Sequence, residues 1–270
     1  MTFTNESVWQ PGISSDIFKP FHPRLHIPEI AEMGFKVLEV GCYIPETGFK
    51  WQNRHEVEEL VKLCEDFNII IWSAHPPENY PLLLPEESER QKHKDTLKAF
   101  ADFCKEIGAE YMPVHFWLPK EIFEKVGRFS YFDETLEFLE SIYLEYQVMA
   151  CLETLREPYS AISNQQLLDI VKARQPVLGM IMDTGHAHIS DNLHEITRQG
   201  KNIIKSLHIH DNDGKDDSHY PPQRGTINWP EFIRDLKNIS YQGPIIFEVN
   251  GEVEALQQTI DFYNTFFAQY

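Results

Sequence analysis

The chain is poor in the features that would tie it to an oxidising compartment, a membrane or a polyanion. It has only four cysteines in 270 residues, Cys42, Cys64, Cys104 and Cys151, widely spaced and with no Cys-x-x-Cys pair. That pattern argues against a disulfide framework and suits reduced, buried thiols in a cytosolic protein. No apolar run approaches the length of a membrane span, and Met1 to Glu6 lack the basic and apolar regions of a leader. The reading is therefore cytoplasmic. Positive charge is scarce as well. Lys and Arg total 24 against 42 Asp and Glu, a net charge of −18, which disfavours a nucleic-acid backbone or an anionic membrane as partner. No Gly-x-Gly-x-x-Gly follows an early strand, which speaks against a doubly wound dinucleotide fold. No Gly/Ser-rich linker or low-complexity tract divides the chain.

What is present is an ordinary globular composition, 42% hydrophobic and 24% charged. Its length fits one α/β barrel or two smaller domains. Short apolar runs alternate with amphipathic stretches throughout. Strands are expected at Ile13–Phe18, Val37–Cys42, Ile69–His75, Tyr111–Phe116, Val148–Thr154, Val177–Ile181, Ile203–His210 and Pro244–Val249. Helices are expected near Ile27–Met33, Arg54–Phe67, Pro85–Ile107, Phe132–Tyr146, Asn164–Lys172, Asn192–Gln199, Trp229–Lys237 and Val253–Phe267. Gly34 and Gly108 serve as stops, and Asn164 as the cap of its helix. Eight strand–helix units of about 34 residues each predict a single-domain (β/α)₈ barrel over residues 1–270.

Barrel chemistry sits at the C-terminal strand ends, and this chain loads those ends with metal-type donors. His75 follows strand three and His115 strand four. Glu153 ends strand five, Asp183 and His186 follow strand six, His208 and His210 end strand seven, and Glu248 ends strand eight. Asp217 and His219 lie in the loop after strand seven. Each residue alone has a plain alternative: a packed histidine, a helix cap at Asp183, a strand-end ion pair at Glu153 or Glu248, a turn at Asp211 to Gly214. Six successive strand ends carrying such donors favour a divalent-metal site. A carboxylate closing an apolar strand is costly to bury without a partner.

The motifs also resemble a known family. Leu152-Glu153-Thr154, Asp183-Thr184-Gly185-His186-Ala187, Leu207-His208-Ile209-His210-Asp211, Asp217-Ser218-His219 with Arg224-Gly225-Thr226-Ile227-Asn228-Trp229, and Phe247-Glu248 are similar to motifs of the xylose isomerase-like TIM barrel superfamily. That group includes sugar and sugar phosphate isomerases and epimerases, and endonuclease IV. The resemblance implies one central ion (Mn, Zn, Co or Mg) held by Glu153, Asp183, His208 and Glu248. His75, His115, His186, Asp217 and His219 match positions that hold two further zinc ions in the endonuclease branch, so up to three ions are implied. His210 stands where the endonucleases have asparagine. Arg224 falls inside the family's Gly-x-Gly, whose first glycine is replaced.

The expected activity is proton transfer beside a carbonyl of a small sugar or hydroxy-carbonyl substrate. It would run through an enediolate, with Glu153 and Glu248 as acid and base and with His186 and Arg224 on substrate oxygens. Three alternatives stay open: a zinc phosphodiesterase of the endonuclease IV type, a metal-dependent dehydratase or lyase, and a barrel that only senses a sugar or a metal. Trp51, Phe116, Trp117 and Tyr220 are expected at the mouth, as an apolar wall for a sugar ring or as a contact in a homo-oligomer.

Overall fold

In the computed structural model, residues 9–17, 19, 22–42, 48–77, 82–83, 86–126, 131–250 and 253–269 are described. Met1 to Glu6, Phe18 and Pro85 lie outside them. Strands β1 (Pro11–Ser14), β2 (Val37–Gly41), β3 (Ile70–His75), β4 (Tyr111–Val114), β5 (Met149–Glu153), β6 (Leu178–Asp183), β7 (Ile204–Ile209) and β8 (Ile245–Phe247) pair in sequence order. The sheet is parallel and closes on itself between β8 and β1.

Around the sheet lie α1 (Ile27–Glu32), α2 (Arg54–Asp66), α3 (Glu87–Ile107), α4 (Lys120–Val126), α5 (Phe132–Tyr146), α6 (Asn164–Ala173), α7 (Thr184–Ile189), α8 (Leu193–Gln199), α9 (Trp229–Asn238) and α10 (Val253–Phe266). The fold is the (β/α)₈ barrel. No described helix is long and apolar enough to cross a membrane.

The longer helices form where apolar residues recur at helical spacing and bury that stripe. In α9, Asn228 caps the first turn by accepting from Glu231 N–H, and Trp229, Phe232, Ile233 and Leu236 all face inward. In α2, Val57, Leu60 and Cys64 do the same. Helix α3 ends on Gly108, whose φ of +77° is the left-handed cap conformation that glycine adopts at little cost. All four thiols are free and buried.

Several boundaries differ from the sequence reading. The first strand stops at Ser14 because Ser15 Oγ accepts from Gly41 N–H at 2.8 Å, which turns Ser15–Ile17 out of the sheet as a 3-10 turn. The fourth strand stops at Val114, where Phe116 N–H turns back onto the Val114 carbonyl at 3.0 Å. Ser163, not Asn164, caps α6, in a reciprocal capping box with Gln166. Asn164 is instead buried, and its amide exchanges hydrogen bonds of 2.6 and 3.0 Å with the Leu155 backbone. Helices α4 and α7 are short additions that the periodicity did not indicate.

Burial ranks the core positions. Phe232 is fully buried in the helix–sheet layer, whereas Leu144 on α5 is 69% exposed. Phe232→Ala is expected to destabilise the fold by about 3–5 kcal/mol, through lost transfer energy and a residual cavity. Leu144→Ala should change stability by less than about 0.5 kcal/mol. Urea denaturation of the two variants checks this ranking.

Candidate metal centre

The C-terminal strand ends bring their polar side chains into one cavity of about 1130 Å³, lined among others by His75, His115, Glu153, His186, Asp217 and Glu248. The fully buried His208 Nδ1 adjoins two of these residues, Glu153 and Glu248. Three carboxylates surround this nitrogen: Glu248 Oε2 at 3.4 Å, Glu153 Oε1 at 3.5 Å and Asp183 Oδ2 at 4.0 Å. They come from β5, from β6 and from just past β8, so three separate strand ends converge on one atom.

Tautomers follow from the partners, because a carbonyl oxygen only accepts. His75 Nδ1–H donates to Pro76 O at 3.0 Å, His186 Nδ1–H to Thr154 O at 3.0 Å, and His219 Nδ1–H to Glu248 O at 2.8 Å. Each ring thereby turns its other nitrogen toward a carboxylate. His75 Nε2 lies 3.8 Å from Glu153 Oε2, His186 Nε2 lies 3.2 Å from Asp217 Oδ2, and His219 Nε2 lies 3.4 Å from Asp217 Oδ1. His115 Nε2 approaches Glu153 Oε2 at 2.9 Å.

A bare imidazole lone pair facing a carboxylate is repulsive unless a cation lies between them, either a proton or a metal ion. Four buried atoms here, Glu153 Oε2, His208 Nδ1, His210 Nδ1 and Asp217 Oδ1, also lack an aligned hydrogen-bond partner. Glu153, Asp183 and His186 offer donor atoms within 4.8 Å of one another, as do Asp183, His208 and Glu248. Mixed oxygen and nitrogen donors, with rings anchored through their far nitrogens, suit a divalent ion. The residues present therefore fit a metal centre.

Charge follows from the same contacts. Burial works against the Glu153 carboxylate, but His115 and His208 hold its carboxyl well below the usual range. Burial also opposes charging of His208 and His186. Glu39, Glu248 and Glu153 nevertheless raise the His208 ring well above the ordinary imidazole value, and Asp183, Asp217 and Glu153 raise His186.

All the candidate residues are thus brought to one mouth, with differences in role. Asp183 is both a member of the central group and the cap of α7, since its Oδ1 accepts from His186 N–H at 2.6 Å. His210 reaches Asp183 Oδ1 at 3.0 Å and stacks on His219 with ring centroids 3.9 Å apart. Gly185 is required here, because a Cβ would stand 2.0 Å from His210 Cε1. His188 bonds to Thr226 Oγ1 and takes no part in these groups.

Arg224 lines the cavity, and the glycine missing before it falls at Gln223, whose φ is +75°. An L side chain in that region costs on the order of 1–2 kcal/mol. Gln223 N–H donates to Asp211 Oδ2 at 2.9 Å, which holds the turn. Of the aromatics expected at the mouth, only Tyr220 lines the cavity. Trp51 packs on Phe100 and Phe103, Phe116 is buried against Phe132, and Trp117 packs on the core.

Arg156 and Glu39 are among the residues that the sequence reading missed. Arg156, which lines the cavity, lies 3.4 Å from Asp217. Glu39, in the middle of β2, is fully buried with Nε2 of His208 at 3.1 Å. Its signal was a charge inside an otherwise apolar strand.

The family model described as a xylose isomerase-like TIM barrel matches residues 27–266, and the chain belongs to that family. Among curated proteins, fructoselysine 3-epimerase of Escherichia coli O157:H7 is 22% identical over 86% of this chain and 88% of its own. A solved D-tagatose 3-epimerase-like protein superposes with a TM-score of 0.81 at 24% identity, covering 94% of this chain and 96% of that one. The IOLI protein, solved with a bound zinc atom, gives 0.79 at 18% identity, covering 97% and 99%. The two structural likenesses are likenesses of fold.

With metal stripped, the site's histidines take up protons instead. His75 is pushed up to about 9 by Glu153 against the effect of burial, and His219 likewise to about 9 by Asp217 and Glu248. In the unfolded chain both titrate near 6.5. The stability they contribute is complete below that value and is lost as pH rises through the folded value. The thermal midpoint of chelator-treated protein should therefore fall between about pH 6.5 and 9. Added Mn²⁺ or Zn²⁺ should restore it at the alkaline end. A midpoint that is flat or rises across the window would contradict these pairings.

Proposed function

We propose that the protein is a divalent-metal-dependent epimerase or isomerase of a small sugar or sugar phosphate, working by proton transfer on the carbon beside a carbonyl. The observation that carries this reading is the pair of glutamates facing one spot from different strands. Glu153 Oε1 and Glu248 Oε2 lie 3.5 and 3.4 Å from His208 Nδ1, and β5 and β8 stand three places apart in the ring of eight. The central ion would be held by Glu153, Asp183, His208 and Glu248. When bound, it supplies Lewis-acid stabilisation of the negative charge that develops on the carbonyl oxygen.

Glu153, ionised at neutral pH, accepts the proton from carbon. Glu248, with its side chain 19% exposed on the cavity wall, delivers a proton from its own side. Removal on one face and return on the other inverts the carbon; transfer to the neighbouring carbon moves the carbonyl instead. His186 and Arg224 bind substrate hydroxyls or a phosphate. Fructoselysine 3-epimerase and the D-tagatose 3-epimerase-like protein carry names consistent with this chemistry.

Incubation with ketohexoses and their phosphates in D₂O, with Mn²⁺, Co²⁺, Zn²⁺ or Mg²⁺ supplied in turn, should show deuterium entering substrate and product by NMR. Glu153→Gln and Glu248→Gln should each lower turnover by about 10²–10⁴-fold with the fold intact. Full activity in both variants would overturn the assignment.

One observation favours a second reading. His75, His115 and Glu153 form a further triad of donors within 4.8 Å of one another, as do His210, His219 and Glu248. These suit additional zinc ions and a phosphodiesterase of the endonuclease type. The net charge of −18 works against a nucleic-acid substrate. Zinc-supplemented protein should therefore leave an abasic-site duplex uncut, and incision on a gel would reverse the order of the two readings.

A further inference from the structure

Four rings of the site hold one nitrogen on an anchor and turn the other toward the carboxylates, and the anchors are not alike. His75, His186 and His219 donate their fixed proton to backbone carbonyls. His208, the fully buried ring of the group, is anchored by a carboxylate. Its Nε2 lies 3.1 Å from both oxygens of Glu39, with Oε2 as the aligned acceptor. Glu39 belongs to β2 and reaches β7 across the barrel interior, past β8 and β1. Ser73 Oγ donates to the same Oε2 at 2.7 Å.

That donor owes its place to a sheet irregularity. The pairing shifts between Leu38 and Glu39, so Glu39 faces Ser73 and Trp72 is skipped. Bulges of this kind re-aim side chains beside functional sites. Glu39 is fully buried and, among the described residues, no lysine or arginine forms an ion pair with it. A buried carboxylate without a fixed cation costs several kcal/mol. A neutral amide would anchor the ring at much lower cost, so the charge itself has a use.

We propose that Glu39 is a positioning residue of the metal centre. It keeps the His208 proton on Nε2, leaves Nδ1 bare and aimed at Glu153, Asp183 and Glu248, and makes Nδ1 a stronger donor by pulling on the far proton. The proposal rests on the metal-centre reading above. If Glu39 only filled the barrel interior, a near-isosteric amide would leave metal binding unchanged. Glutamine removes the charge, and its NH₂ is able to donate to Nε2, which would move the ring proton onto Nδ1.

The test is calorimetric titration of metal-free protein with Co²⁺, read alongside the visible spectrum of the bound ion. Glu39→Gln should weaken binding about 10–100-fold and alter the Co²⁺ absorption. Ser73→Ala, which removes only the supporting hydroxyl, should move affinity in the same direction by less. Zinc-loaded wild-type protein labelled with ¹⁵N-histidine gives a readout independent of folding in the variants. Its spectrum should place the His208 proton on Nε2. If the wild type binds no divalent ion, the metal-centre reading itself fails. If it binds and Glu39→Gln binds equally well, or the proton is found on Nδ1, the metal centre stands and the role of Glu39 is refuted.

Discussion

The structure depends on one crowded juxtaposition, the Nδ1 of His208 ringed by the carboxylates of Glu153, Asp183 and Glu248. Like charges separate when the chain lets them, so holding three acids around one ring nitrogen needs a frame that does not relax. A closed parallel barrel is such a frame, because each acid is mounted at or next to a strand end locked to its neighbours on both sides. The juxtaposition is offset only by a cation.

The surrounding polar network orients the donors. Asp183 is held by His186 N–H and by His210. Thr184 Oγ1 donates to the His210 carbonyl at 2.7 Å and accepts from His210 N–H at 3.1 Å, which ties the end of β7 to the start of α7. Asp211, which reads as part of a turn, is the buried anchor of the long loop after β7. It accepts from the Asn212, Gln223 and Ile227 amides and from Trp229 Nε1 at 2.9 to 3.2 Å. Gly225 lets the loop come this close, since a Cβ there would sit 2.2 Å from Asp211 Oδ1. The placement of Asp217, His219 and Arg224 follows from that anchoring.

Much of the site was legible because barrel geometry is periodic. Once eight strand–helix units are recognised, any donor at a strand end points to the same mouth, and the donors from His75 to Glu248 could be read off in order, whereas the family resemblance singled out Glu153, Asp183, His208 and Glu248 among them. Glu39 was not legible by that rule, since it sits inside its strand and acts across the lumen. The mouth aromatics failed for a related reason. Phe116 and Trp51 lie near strand ends in sequence, yet burial against Phe132, Phe100 and Phe103 draws them into the helix–sheet layer.

The amino-acid sequence by itself determined the barrel, the donor types and the strand end on which each donor rides, because those follow from local periodicity and spacing. Only the tertiary structure decided which nitrogen of each histidine is tied down and which carboxylate the other one faces. It alone brought Glu39 under His208. Those outcomes depend on register between strands far apart in the chain, including the shift at Leu38 and Glu39, and local sequence carries no measure of that register.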